Sequence, residues 1–305
     1  IRIVGSSTVY PFTTAVAENF GKSSGMKTPV VESTGTGGGM KLFCAGAGEA
    51  HPDFTNASRR IKKSEFEDCA KNGVTDIVEI KIGFDGLTLA ASKEASAIKL
   101  TKQQIFMALA RQVPDKDGKL VDNPYMMWSD IDASLPAAKI EVLGPPPTSG
   151  TRDSFAELAL EVGASKFESL AAMKKADVKA YDAVWKAVRE DGAYVEAGEN
   201  DNLIVQKLGA NKDAVGIFGF SFLEENASVI KGLTMDGVAP SYETIASGDY
   251  KVSRPLYVYA KKAHVGVIPG MAEFVAEYVS DKAISEEGYL SDKGLITLPG
   301  EDAKK

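Results

Sequence analysis

Three times in this chain a strand-like run gives way to a short stretch of Ser, Thr and Gly that turns at once into a helical pattern. That recurrence limits the fold to alternating α/β architectures. The stretches are Gly5-Ser6-Ser7-Thr8-Val9, Thr34-Gly35-Thr36-Gly37-Gly38-Gly39 and Thr148-Ser149-Gly150-Thr151-Arg152. Residues 1–4 read as a strand, and Phe12, Val16 and Phe20 then recur every four positions, which predicts a helix ending at Gly21. Residues 29–33 predict a second strand and 40–47 a helix; residues 53–58 predict a third strand, and Ser64 with Glu67 forms a capping box that starts the next helix. Residues 77–91 form an extended apolar run, longer than an ordinary strand of about five or six residues, as a crossover between two domains would be. Further helices are predicted over 101–111, 151–162, 176–189, 202–208 and 270–279, with strands over 140–143 and 254–260.

Each Ser/Thr/Gly stretch has the makings of an anion cradle. A helix N-terminus exposes unpaired N–H groups and about half a positive charge, glycine lets the backbone approach a ligand, and hydroxyls add donors. One stretch alone is better read as ordinary N-capping, since Ser and Thr are favoured caps; three together bring a small tetrahedral anion into contention. Arginine is the second ingredient, because a guanidinium offers a planar fork to two oxyanion oxygens. Arg152 directly follows the third stretch, and Arg59-Arg60 follows Ser58 at a predicted strand end. The competing readings are a solvated basic run with Lys62 and Lys63 for one of the Arg59-Arg60 pair, and an ion pair with Glu141 or Asp153 for Arg152.

Other chemistries fail on the residues present. Thirty-five Lys and Arg against 42 Asp and Glu give a net charge of -7, the wrong sign for a protein that neutralises nucleic-acid phosphates. No run of the 305 residues approaches a membrane span, the best candidate near 265–279 being broken by Pro269, Glu273 and Glu277. His51, His264, Cys44 and Cys69 match no zinc spacing, and both histidines are expected at the surface. Around Gly35, a methionine at position 40 breaks both the P-loop and the dinucleotide fingerprint. A nucleophile elbow begun at Gly5 meets Val9 where it needs glycine, and a phosphoester hydrolase using Ser7 or Thr8 lacks a nearby base or metal set. The acidic segment from Glu190 to Asn202 lacks a calcium-loop pattern and reads as a capped turn, and 125–128 reads as a loop anchor. Cys44 and Cys69 either close a loop worth about 3 kcal/mol in an oxidising compartment or stand as two buried thiols.

Taken in order, Gly-Ser-Ser-Thr-Val-Tyr-Pro from Gly5, Ser-Thr-Gly-Thr-Gly-Gly-Gly from Ser33, Asn-Ala-Ser-Arg-Arg-Ile from Asn56, Phe-Asp-Gly-Leu from Phe84 and Pro-Thr-Ser-Gly-Thr-Arg-Asp from Pro147 resemble the periplasmic phosphate-binding proteins of ABC uptake systems, the PstS family. The likeness runs along nearly the whole chain and includes the Arg-Glu-Asp-Gly-Ala-Tyr-Val segment from Arg189 and Pro-Leu-Tyr-Val-Tyr from Pro255. It implies a type II periplasmic binding protein of α/β class: two α/β domains joined by two crossover strands, residues 1–86 with 254–305 and residues 87–253, closing over dehydrated phosphate. It further implies reversible binding without covalent chemistry or cofactor, delivery to the transmembrane subunits of an ABC permease, a monomer, and a secreted, periplasmic chain whose signal peptide is absent from this sequence. A Cys44–Cys69 disulfide fits that compartment.

Carried over residue by residue, the resemblance implies ligand contacts from Ser7, Thr8 and the Val9 N–H, from Thr36 and Gly37, and from Ser149, Gly150 and Thr151, with Arg152 as the main positive partner. The chain departs from the family where many members follow Ala-Ser with an aspartate that accepts the proton of hydrogen phosphate; here Arg59 follows Ala57-Ser58. Sulfate carries no such proton near neutral pH, so an acceptor carboxylate rejects it. Asp85 is the candidate replacement, with Ser58 and Arg59 adding donors; the alternative is that Asp85 caps the turn at 84–86. A binding protein of the same fold for another oxyanion, sulfate or molybdate, is the runner-up.

Overall fold

The long apolar run is a single 16-residue strand, Ile77–Ser92. Along it the chain leaves one unit, Ile1–Asp85 with Arg254–Lys305, and enters another, Gly86–Ser253. This computed structural model describes residues 1–147, 149–197 and 201–300. The strands that organise it are β1 (Arg2–Gly5), β2 (Val30–Val31), β3 (Phe54–Ala57), β4 (Ile77–Ser92), β5 (Val142–Gly144), β6 (Tyr194–Glu196), β7 (Val215–Gly219), β8 (Ile230–Gly232) and β9 (Ser253–Lys261).

In the first unit the sheet order is β2-β1-β3-β9-β4. β1 pairs in parallel with both β2 and β3, and β9 runs antiparallel to β3. Helices α1 (Tyr10–Ser24), α2 (Thr36–Phe43) and α3 (Lys63–Lys71) follow β1, β2 and β3. Phe12, Val16 and Phe20 of α1 are buried as their period predicts, in one cluster with Ile3, Phe54, Val258 and Phe274. Phe274 meets Phe20 and Phe54 edge-on at 5.7 and 5.3 Å. A second cluster gathers Met40, Phe43 and Tyr259 around the Cys44–Cys69 disulfide, which spans 25 positions.

Several local expectations move. Helix α1 runs through Gly21, where a Cβ would stand 2.2 Å from Thr28 Oγ1, and ends at Gly25 in the left-handed region at φ 68°. Gly21 therefore serves close packing, and Gly25 is the terminator. Helix α2 begins at Thr36, inside the glycine stretch, rather than after it. Helix α3 begins at Lys63, and Glu65, not Glu67, accepts the Lys62 N–H at 2.9 Å. His264 is buried, not at the surface: its Nδ1 meets Asp53 Oδ1 at 2.6 Å and its Nε2 accepts the Gly48 N–H at 2.8 Å. The second nitrogen can accept only if the ring is neutral, with its proton on the Asp53 side.

In the second unit β4 pairs antiparallel with β7, and β7, β5 and β6 continue in parallel, while β8 pairs with the last residues of β4. Helix α4 (Lys102–Leu109) is capped reciprocally by Thr101 and Gln104 at 3.1 and 2.9 Å. The predicted helix over 151–162 is α5 (Gly150–Phe155), continued by a π-helical stretch, Ala156–Glu161, whose last carbonyl accepts the Tyr181 hydroxyl at 2.8 Å. Helix α6 (Val178–Lys186) starts at Asp177, whose carboxylate accepts the Lys179 and Ala180 N–H groups at 3.0 Å. Trp128 is fully buried and anchors its loop as expected. Thr148, Glu199, Asn200 and residues 301–305 lie outside the described residues. Among the described residues no helix is long and apolar enough to cross a membrane.

Candidate anion-binding site

The loops leaving β1, β2 and β3 open at the carboxyl ends of three parallel strands. β2 and β3 flank β1 on opposite sides, so the loops meet where the strand order reverses, the place at which open α/β sheets take ligands. Their approach is close. Thr34 N–H donates to Gly5 O at 2.9 Å and Ser6 N–H to Asn56 O at 3.0 Å. A Cβ on Gly39 would lie 2.4 Å from Gly5 Cα and 2.6 Å from Thr55 Oγ1, so only glycine lets α2 sit this near β1.

Three groups converge in the first unit. Arg254, the second residue of β9, donates from Nη2 to Thr8 Oγ1 at 3.0 Å, and its Nε stands 3.9 Å from Asp85 Oδ2 on β4. The two charged side chains are only 11% and 16% exposed, so their field on a neighbouring anion is weakly screened. Beside them the Thr36 and Ser58 hydroxyls meet at 3.0 Å, and Thr36 Oγ1 accepts the Ser58 N–H at 3.1 Å. Gly37 sits in the first turn of α2, where a Cβ would meet nothing within 4 Å. Val9 is wholly buried and its N–H donates to Ser6 Oγ at 3.3 Å, which makes it an apolar anchor of the loop in this structure. Ser7 lies in the turn between β1 and α1.

Arg59 meets a carboxylate of α3. Its guanidinium forks onto Glu65 at 2.7 and 2.9 Å. Burial pushes the Glu65 carboxyl up, but the Arg59 hydrogen bonds and the Lys62 amide outweigh it and hold the group below its ordinary value. Arg60 is likewise taken by Glu79, whose carboxyl its hydrogen bonds lower. The sequence reading does not single out Arg254, although a basic residue at the start of an apolar strand, and Asp85 next to the glycine in the other long apolar run, are visible signals.

The second unit carries the third stretch. Ser149 caps α5, its Oγ accepting the Thr151 N–H at 3.2 Å. The Arg152 guanidinium lies 4.4 Å above the Tyr194 ring, with Nη1 donating to Pro145 O at 3.5 Å. Tyr194 donates to the same carbonyl at 2.6 Å, and Gly144 leaves room for its ring. Burial raises the Tyr194 phenol above its ordinary value, so it remains a neutral platform for the cation.

A family model described as the PBP superfamily domain matches residues 1–282. The phosphate-binding protein PstS of Staphylococcus saprophyticus is 30% identical over 304 residues, covering 98% of this chain and 80% of that protein. The chain belongs to the PstS family of the PBP superfamily. Protein SphX of Synechococcus elongatus is 32% identical over 307 residues, 97% of this chain and 76% of the relative. Among solved structures, a possible phosphate binding protein from Planctomyces limnophilus superposes with a TM-score of 0.76 at 28% identity, over 100% of this chain and 94% of the other. An ABC-type phosphate transport receptor from Vibrio cholerae shares the fold, with a TM-score of 0.63 at 19% identity over 98% and 100%. Within this member of the PstS family, then, the arginine after Ala57-Ser58 pairs with Glu65, and Arg254 stands with Asp85 beside Thr8. Among the described residues no cluster of His, Cys, Asp and Glu is arranged to hold a metal ion.

Proposed function

We propose that this protein binds inorganic phosphate reversibly, without covalent chemistry, and delivers it to the transmembrane subunits of an ABC-type import permease, as a monomeric periplasmic protein. The observation that carries the reading is the convergence of Thr8, Arg254 and Asp85 at the mouth of three parallel strands, in a chain whose relatives include proteins called phosphate-binding. In the first unit Ser7, Thr8, Thr36, Gly37 and Ser58 supply neutral donors and Arg254 the guanidinium; in the second, Ser149, Gly150, Thr151 and Arg152 supply a like set. Asp85 supplies what distinguishes the ligand. A carboxylate accepts a hydrogen bond from the proton of hydrogen phosphate, whereas sulfate offers no proton and is repelled. Arg254 beside it balances the carboxylate's charge, so the site attracts an anion while still selecting a protonated one.

The test is calorimetric titration of protein unfolded and refolded to strip carried-over ligand, with phosphate and with sulfate, at pH 5 and pH 8. Phosphate heat without sulfate heat is the expected result. Comparable heats would replace the reading by that of a general tetrahedral-oxyanion binder, and no heat from phosphate would overturn it.

A further inference from the structure

The second unit holds a pocket of about 420 Å³ whose wall includes four cations, Arg111, Arg152, Lys186 and Arg189. A pocket this size is in the range that encloses small organic or condensed ligands, and four cations on one wall are conspicuous in a chain of net charge -7. Arg189 is accounted for by structure: it is buried, forks onto Asp191 at 2.6 and 2.8 Å, and donates to Tyr125 O at 2.6 Å and Ala108 O at 3.2 Å. It is a rigid wall. Arg111 and Lys186 are different, since both are exposed. They are brought to one place by the Ala110–Val188 bridge and by the Arg111 N–H donating to Ala187 O at 2.8 Å. The bond from Lys186 to Asp182, 3.3 Å, is an exposed i,i+4 pair that an incoming anion displaces cheaply. Glu190 and Glu196 also line the pocket, so the lining side chains favour one compact anionic group and disfavour a longer polyanion.

We infer that this pocket takes the second phosphoryl group of a ligand of the inorganic diphosphate class, with Arg152 shared between the two phosphoryl groups and Arg111 and Lys186 binding the outer one. The inference rests on the reading that residues 149–152 bind phosphate, and extends the ligand class of that set. A second anionic group, not an alcohol or a sugar, is what Arg111 and Lys186 are suited to recognise.

The test titrates the refolded full chain with orthophosphate and with pyrophosphate, in wild type and in the Arg111→Ala/Lys186→Ala variant, with circular dichroism as the control for folding. Wild type is expected to bind both, each displacing the other. The double variant is expected to lose about tenfold in pyrophosphate affinity, about 1.4 kcal/mol, with orthophosphate unchanged. Orthophosphate binding without pyrophosphate binding, or a pyrophosphate affinity equal in the two proteins, overturns the inference and leaves the phosphate reading standing. Failure of both ligands to bind overturns both.

Discussion

Replacing Arg254 by glutamine tests the candidate site most directly, because it removes the cation and leaves its surroundings in place. The guanidinium donates to Thr8 Oγ1 at 3.0 Å and is 11% exposed. Loss of a charge-assisted hydrogen bond to a bound anion costs about 1.5–3 kcal/mol. That weakens phosphate binding by roughly ten- to a hundredfold. Asp85, whose Oδ2 stands 3.9 Å from Arg254 Nε, is the proposed acceptor of the phosphate proton, so Asp85→Asn exchanges a charge-assisted hydrogen bond for a neutral one and should cost about 1 kcal/mol, about fivefold. Arg254 and Asp85 act on one anion, so the double variant should fall short of the summed losses. Calorimetry at pH 8 on wild type, the two single variants and the double variant closes the cycle. A single Arg254→Gln protein that binds phosphate within threefold of wild type would refute the placement of this guanidinium on the ligand, and a double variant that loses the full sum of the two single losses would refute the coupling to Asp85.

Reducing the Cys44–Cys69 disulfide, which closes a 25-position loop, is expected to cost about 3.5 kcal/mol of stability; coincident urea transitions with and without reductant would contradict this. Gly39→Ala pushes a Cβ to 2.4 Å from Gly5 Cα and should destabilise by about 2 kcal/mol, because backbone cannot yield as a side chain does. Gly37→Ala, with nothing within 4 Å, should unfold at nearly the wild-type temperature. Lys261 is buried against the Phe43 ring with its amine on Gly46 O, and burial lowers it to about 8 from 10.5. Between those values the unfolded chain holds more protons than the folded one, so this group's contribution to stability rises with pH through the window, and its penalty is fully present below pH 8. The stability of Lys261→Met relative to wild type should therefore be highest at pH 7 and decline towards pH 10.5; a difference independent of pH in urea titrations would sink the assignment.

What was legible in the sequence was local. The period of Phe12, Val16 and Phe20 marks the buried face of α1, and the run at 77–91 marks β4, because both patterns are set by residues within one element. Glycine misled wherever its role was tertiary. Gly21 looks like a helix stop and instead admits Thr28, and the glycines after Thr36 look like a turn although Gly39 lets the first turn of α2 approach β1. The two arginines show the same division at the site. Arg59 adjoins a recognisable motif, so the sequence assigns it to the ligand, yet Glu65, six positions on and in the first turn of α3, offers it a bidentate carboxylate. Arg254 adjoins no Ser/Thr/Gly stretch; its partner Thr8 lies 246 positions away, as the partner of His264 lies 211 positions away. A guanidinium binds the nearest carboxylate that can meet its fork, and which carboxylate that is depends on strand order. Neutral donors are different in kind. Hydroxyls and amides at the ends of β1, β2 and β3 are carried by the turn in which they stand, so the sequence offers Ser7, Thr8, Thr36 and Ser58 as candidates. Asp85, the proposed acceptor on β4, is also a sequence candidate, but its neighbour Arg254 comes from β9, which only the folded sheet sets beside β4.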